Sequence, residues 1–361
     1  MHTKKTSRPR VTALINTYNY GRFVGEAIES VLAQGLAPEE MEIVVVDDGS
    51  TDDTAAQVAR FGERVRYIRK ENGGQASALN VGFAEAGGEI IAMLDGDDLW
   101  KPGKIRRVLE EFERHPEVGM VYHPYTVWDP ERNISADDRS FRAIHGFIPE
   151  CVTHVLQYGS FGTCGMALRR EAVAKVLPVP EELRIYADTF LVLVMIFVAP
   201  VAAVNECLTI YRHHGGNSTA FQQGSDDRLR RRWQCYQRGV NAARTWVAQQ
   251  GHDLSQPATA AYFERHALTA EMFRFNAEGA SRAELYCYLR REIALFRPIW
   301  SGRYCFYRQV LALAAFAMGY EKYVAMRGAY REGDALQALR RRVFPHQASE
   351  SEKIPRMQES R

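Results

Sequence analysis

A doubly wound α/β unit with a mostly parallel sheet is the fold class predicted for the first half of this 361-residue chain, followed by an α-helical region. Three observations predict it. Strand and helix signals alternate through the first hundred residues. Two apolar runs, "EIVVV" and "EIIAML", are continuous rather than alternating, as strands buried on both faces are. Each run ends in carboxylates, Asp47 and Asp48 or Asp95, Asp97 and Asp98, at the carboxyl ends where such sheets place their ligands.

The elements follow in order. "VTALINT", Val11 to Thr17, reads as a strand, and Gly21 to Gln34 as a helix with apolar residues at Phe23, Ala27 and Val31 and a stop at Gly35. "EIVVVDDGS", Glu42 to Ser50, is a strand running into a turn, after which "STDDTAAQVARFG" opens a capped helix. "RVRYIRK" is a third strand, "QASALNVGFAEA" a helix and "EIIAML" a fourth strand. Residues 225 to 342 carry apolar and aromatic positions three and four apart, among them Tyr262, His266, Thr269, Met272, Phe273, Phe275 and Asn276, and read as helices. The expected division is residues 1–220, a helical region 221–345, and a tail 346–361 whose polar composition predicts disorder.

Composition narrows the function classes. With 46% hydrophobic residues the chain builds ordinary cores, and its formal net charge is +2. That charge is unevenly placed: residues 1–220 carry 23 basic and 30 acidic side chains, residues 221–361 carry 23 and 14. The basic residues lack interleaved stacking motifs on a sheet, which argues against nucleic acid. Six scattered cysteines without a CxxC pair indicate neither zinc nor a disulfide framework. "MHTKKTSRPR" is followed by no apolar signal-peptide core, so a cytoplasmic chain is expected. No stretch reaches the roughly 20 apolar residues of a spanning helix. The nearest, Val310 to Met326, is interrupted by Glu321 and Lys322. The basic runs Arg228 to Arg232 and Arg340 to Arg342 permit peripheral docking on an anionic membrane; a solvated face of a helical bundle is the other reading.

Asp95, Asp97 and Asp98 crowd three like charges into four positions, which raises their pKa values unless something offsets them. A divalent cation would do so; a solvated acidic turn is the alternative. The buried strand before them and the second carboxylate pair on the same rim favour the cation.

Five stretches, "ALINTYNYGRFVGEAIESVLAQ", "EIVVVDDGSTDDT", "NGGQASALNVGFAEAGGEIIAMLDGDDLWKP", "FGTCGMALRRE" and "YRHHGGNST", stand in the order found in family 2 glycosyltransferases. From about Val11 to about Ser218 the chain resembles that family. The resemblance implies a GT-A fold, a nucleotide-sugar donor, most often UDP-linked, Mn²⁺ or Mg²⁺, and transfer with inversion to a glycan or lipid-linked acceptor. It also implies roles. Thr17, Tyr18 and Asn19 would begin the nucleotide pocket, Asp48 would accept a hydrogen bond from the base, and Asp95 would contact the ribose. Asp97 would hold the metal with His214, and Arg212 suits a phosphate. Asp98 would shape the turn, and His213 receives no role.

An inverting displacement needs a base, and the resemblance puts Asp188 there, opening a helix from Thr189 to Val198. The family's usual preceding Glu is Ala187 here. Asp188 as a helix cap is the other reading, and the positive helix end would lower its pKa. Leu79 stands where an Arg is common, which leaves the diphosphate to another cation. Cys164 reads as a packing residue. Two other classes share this rim: a donor-binding scaffold without turnover, and a sugar nucleotidyltransferase, which the missing Gly-rich "GxGTRxxP"-like loop argues against.

Overall fold

The computed structural model describes residues 8–138, 141–158, 162–215, 217 and 226–332. The chain separates into two compact units, residues 1–224 with 231–263, and residues 225–230 with 264–361.

The first unit begins with alternating strands and helices: β1 (Val11–Thr17), α1 (Gly21–Leu32), β2 (Met41–Asp47), α2 (Thr54–Ala59), β3 (Arg66–Arg69), α3 (Gln75–Glu85) and β4 (Ile90–Asp95). It continues through β5 (Leu99–Trp100), α4 (Lys104–Arg114), β6 (Met120–Tyr122), β7 (Tyr125–Asp129), β8 (Ile134–Asp137), α5 (Val152–Gln157), β9 (Met166–Arg169) and α6 (Arg170–Val173). α7 (Ala187–Met195), β10 (Val201–Ala203) and β11 (Thr209–Arg212) complete this part. Long helices follow: α8 (Asp226–Gln249), α9 (Pro257–Glu278), α10 (Arg282–Phe296), α11 (Gly302–Met318) and α12 (Tyr320–Glu332).

Among the described residues, seven strands form one sheet in the order β10-β6-β9-β4-β1-β2-β3. β1 is parallel to both β2 and β4, β2 to β3 and β6 to β10, while β9 alone runs antiparallel to its neighbours. The register sets Asp47 beside Thr17 and Asp95 beside Asn16, so the predicted rim exists as one edge. β1 is buried along its whole length although Thr12, Asn16 and Thr17 interrupt its apolar residues, because it lies inside the sheet between β2 and β4. The core on one side joins Ile15, Val45 and Leu94 of the sheet to Val24, Ile28 and Val31 of α1 and Ile105, Val108 and Phe112 of α4. On α3, Gly82 leaves room for Leu14: a Cβ there would lie 2.5 Å from the Leu14 side chain.

The expected doubly wound α/β sheet is present. A second sheet, β5-β11-β7-β8, was not anticipated, because its strands are two to five residues long and β8 is fully exposed. The helix expected from Thr189 to Val198 runs from Ala187 to Met195 instead. Tyr186 precedes it with a left-handed φ of 62°, and the Ala187 N–H donates to Gln75 Oε1 at 2.9 Å, a partner 112 residues away.

In the second unit, Leu268 and Phe275 of α9 pack with Leu285, Leu289 and Ile293 of α10, Ala312 and Ala315 of α11, and Tyr323 of α12. Ser281 caps α10, its side chain accepting from the Glu284 N–H while Glu284 accepts from the Ser281 N–H. Among the described residues no helix is long and apolar enough to cross a membrane. Residues 346–361 and Arg340 to Arg342 lie outside the described residues.

Candidate active site

The rim is built from four chain segments. After β1, Asn19 takes a left-handed φ of 56°; its N–H donates to Ser50 Oγ and its Oδ1 accepts from the Thr51 N–H, each at 2.8 Å. This ties the first loop to the turn after β2. Thr17 is buried with its hydroxyl unpartnered, and Tyr18 is 46% exposed. Both side-chain atoms of Asn16 are likewise buried without a protein partner. Unsatisfied polar groups of this kind are rare inside a fold and point to a polar ligand.

Asp48 is buried, and its oxygens accept from Lys70 Nζ at 2.8 Å, the Gly73 N–H at 2.9 Å and the Gly74 N–H at 2.7 Å. It fastens the 70–74 loop, leaving little lone-pair capacity for a nucleobase. Leu79 is fully buried on α3, so its side chain belongs to the core and not to the rim.

The acidic turn after β4 divides into distinct jobs. Asp98 is fully buried; its Oδ1 accepts from the Arg212 N–H at 2.9 Å, and its Oδ2 is buried without a protein partner. This is the turn-shaping role expected of it. Asp97 meets His214, with Nε2 to Oδ2 at 3.1 Å, and accepts from Asn217 Nδ2 at 3.2 Å. The Tyr20 hydroxyl also hydrogen-bonds Asp97. His214 is 4% exposed and packs against Phe23, ring centroids 4.5 Å apart, and edge-on to Tyr20 at 5.9 Å. The structure therefore brings the two expected metal ligands together.

Burial, then repulsion from Asp98, Asp97 and Asp188, pushes the Asp95 carboxyl well above the ordinary carboxylate range. The Thr163 hydroxyl donates to Asp188 Oδ2 at 3.1 Å and also lies beside Asp95, where it opposes the rise in that carboxyl's pKa, so Thr163 stands between the two carboxylates. Asp188 Oδ1 accepts from its neighbour's N–H, that of Thr189, at 2.9 Å. Its pKa is raised by burial, against the lowering expected from the helix end: lost hydration outweighs the hydrogen bonds it receives. Asp188 does not cap α7, whose N-cap residue is Tyr186; it lies inside the first turn.

Arg212 differs from the phosphate contact expected of it. The residue is 4% exposed, its Nη2 pairs with Glu26 at 2.5 Å, and the guanidinium lies 4.7 Å from the Phe23 ring and 5.2 Å from Trp128. Its neighbours Arg22, Phe23, Glu26, Pro130, Glu131 and His214 line a cleft of about 300 Å³. Beneath the rim, fully buried Lys104 donates to the Cys164 carbonyl at 2.7 Å and to Thr209 Oγ1 at 3.1 Å, and lies 4.5 Å from the Trp100 ring. All six cysteines are free thiols.

Among the described residues, no three His, Cys, Asp or Glu side chains stand close enough to hold a metal alone. Asp97 and His214 supply two donors, a set that suits a hard cation arriving with phosphate oxygens, since Mg²⁺ commonly binds through one or two carboxylates plus substrate phosphates. The residues fit such an ion on those terms.

Sequence reasoning missed Asn16, Tyr20, Thr163 and Asn217. Asn217 was visible as the asparagine of "YRHHGGNS", but nothing local marked the other three.

Comparison with known proteins gives a consistent result. The profile described as Glycosyl transferase family 2 matches residues 12–177. An uncharacterized glycosyltransferase of Nostoc sp. is 35% identical over 218 residues, 58% of this chain and 66% of the relative. An uncharacterized glycosyltransferase of Rickettsia typhi is 42% identical over 102 residues, and there the alignment spans only 31% of the relative. In fold, the chain is similar to S. aureus TarS residues 1–349 in complex with UDP-GlcNAc, with TM-score 0.59, 16% identity and coverage of 90% and 92% of the two chains. It is also similar to the mannosyltransferase PcManGT from Pyrobaculum calidifontis in complex with GDP-Man and Mn²⁺, with TM-score 0.53, 19% identity and coverage of 96% and 88%.

Proposed function

Through residues 12–177 this chain belongs to glycosyl transferase family 2, on a GT-A fold, and we propose that it moves a sugar from a nucleotide-sugar donor to a glycan, glycolipid or other surface-polysaccharide hydroxyl with inversion. A UDP-linked donor is favoured. The observation that carries the proposal is the meeting of Asp97 with His214 at one end of the acidic turn and of Asp95 with Asp188, through Thr163, at the other.

The residues divide the work accordingly. Thr17, Tyr18 and Asn19, with Asn16, form the nucleotide side of the rim, and Asp48 shapes it through the 70–74 loop while contributing its remaining lone pair to the base. Asp95 takes the ribose. Asp97 and His214 would hold Mn²⁺ or Mg²⁺, and such an ion would supply positive charge to offset that of the diphosphate leaving group. Tyr20 and Asn217 steady Asp97. Arg212, buried against Glu26, would reach a phosphate only by exchanging that partner, and otherwise supports the His214 loop.

Asp188 is the base. It takes the proton of the acceptor hydroxyl as that oxygen bonds to the anomeric carbon, and the carbon–phosphate oxygen bond breaks from the opposite face. A raised pKa suits this task, because proton transfer is most effective when the base approaches the working pH. Thr163 orients the carboxylate toward the rim.

Calorimetric titration of UDP, GDP and dTDP with and without Mn²⁺, on the wild type and on Asp97→Asn, tests the reading. Metal-dependent binding of one nucleotide, lost in the variant, is the expected result. A folded wild type that binds none of them would refute a transferase and leave the scaffold.

A further inference from the structure

α11 presents an apolar face to solvent. Phe306 is 68% exposed, Leu313 59%, Val310 50% and Phe316 47%. At 100° per residue Phe306, Val310, Leu313 and the exposed Ala317 form one stripe, with Phe316 beside it. The opposite side of the same helix buries Arg308, Ala312 and Ala315. A helix apolar on both sides ordinarily has both sides covered, and contiguous exposed apolar patches mark interaction surfaces.

The surroundings of the stripe identify its chemistry. From Ile293 through Tyr320 the sequence contains no acidic residue. The buried Arg308 is neutralised by Glu292, whereas Arg297 at the end of α10 and Arg303 at the start of α11 are exposed. Beside them Trp300 stacks on Phe296, centroids 5.2 Å apart, and meets Tyr304 edge-on at 5.0 Å. Aromatic rings with one wet edge, exposed arginines and an apolar stripe, on a helix too short and too interrupted to cross a bilayer, make the pattern of a segment lying in a membrane interface. The exposed cations at one end of the stripe are complemented by an anionic bilayer.

We infer that α11 lies along an anionic membrane surface, inserting Phe306, Val310, Leu313 and Phe316 among the acyl chains with Arg297 and Arg303 at the headgroups. This surface is distinct from the basic runs singled out in the sequence; in the first of them Arg230 is paired with Glu278 and Asp227.

Co-flotation of the full chain with vesicles tests it. Wild type is expected to float with vesicles of phosphatidylcholine and phosphatidylglycerol, about tenfold more than with phosphatidylcholine alone, and less as salt rises. Phe306→Ser with Leu313→Ser lowers that binding by about tenfold or more. Arg297→Gln with Arg303→Gln removes the preference for anionic vesicles while the circular dichroism spectrum is unchanged. Wild type that stays in the lipid-free fraction, or serine variants that float like wild type, would overturn the inference. So would a wild-type dimer that the serine pair converts to monomer, which assigns the stripe to a second copy.

Discussion

Exchanging Asp188 for Asn separates catalysis from architecture. The carboxylate accepts from the Thr189 N–H and from the Thr163 hydroxyl. The introduced amide keeps an oxygen for the first and offers an N–H₂ to the oxygen of the second, whose own hydrogen is then free to turn to Asp95. The local network survives, and the ability to take a proton does not. General-base catalysis contributes about 10²–10⁴ in rate, so Asp188→Asn should lose about 3–5 kcal/mol of transition-state stabilisation, with donor affinity unchanged. Stability should move the other way. Burial raises the Asp188 pKa, so the folded protein holds this proton more tightly than the unfolded chain; above the folded pKa the ionised group costs stability, and an amide is relieved of that cost. The assay is release of nucleotide diphosphate against pH, alongside thermal unfolding at neutral pH. Wild-type rate should fall on the acid side through a pKa above the usual carboxylate value, and the residual rate of the variant should lack that limb. A variant within about threefold of wild type, or one whose loss is matched by weaker donor binding, refutes the assignment.

Tyr20→Phe removes one of the donors on Asp97 and should weaken metal-dependent nucleotide binding by about 1 kcal/mol without changing the fold, read by the same calorimetry. Burial pulls the Lys104 pKa down to about 7 from 10.5, so between those values the unfolded chain binds the proton that the folded one has released, and stability should rise with pH across that window. Lys104→Met should flatten this slope in denaturant titrations at pH 7 to 10; an unchanged slope places the effect elsewhere. Gly82→Ala brings a methyl against Leu14 and should cost about 1–3 kcal/mol by chemical denaturation, while Leu14→Ala in the same chain recovers part of the overpacking.

The rim was legible in the sequence because its strands are. The apolar runs of β2 and β4 fix which residues leave the sheet at its carboxyl edge, and Asp95 and Asp97 follow directly. The pairing of Asp97 with His214, 117 residues on, came from resemblance and has no local signature. Thr163 escaped because its significance lies in touching Asp95 and Asp188, and Tyr20 because a hydroxyl in a loop is indistinguishable from its neighbours until Asp97 meets it. Arg212 shows the converse: a cation next to His214 in sequence suggests a phosphate contact, and its burial against Glu26, Phe23 and Trp128, which gives it other partners first, has no signature in the sequence. The second sheet was illegible since two- to five-residue strands carry too few alternations to register.

The reversed strand β9 has a consequence for how such a domain diversifies. Its parallel neighbours reach the rim at their exits, and β9 reaches it at its entrance, so Thr163 arrives from the chain that precedes the strand. Residues leaving β1, β2 and β4 would read the donor, whereas the segment leading into β9 would face the acceptor. Two vocabularies are thereby kept on separate stretches of one polypeptide, and a lineage can rewrite the residues around Thr163 to meet a new hydroxyl without disturbing the words that spell the nucleotide.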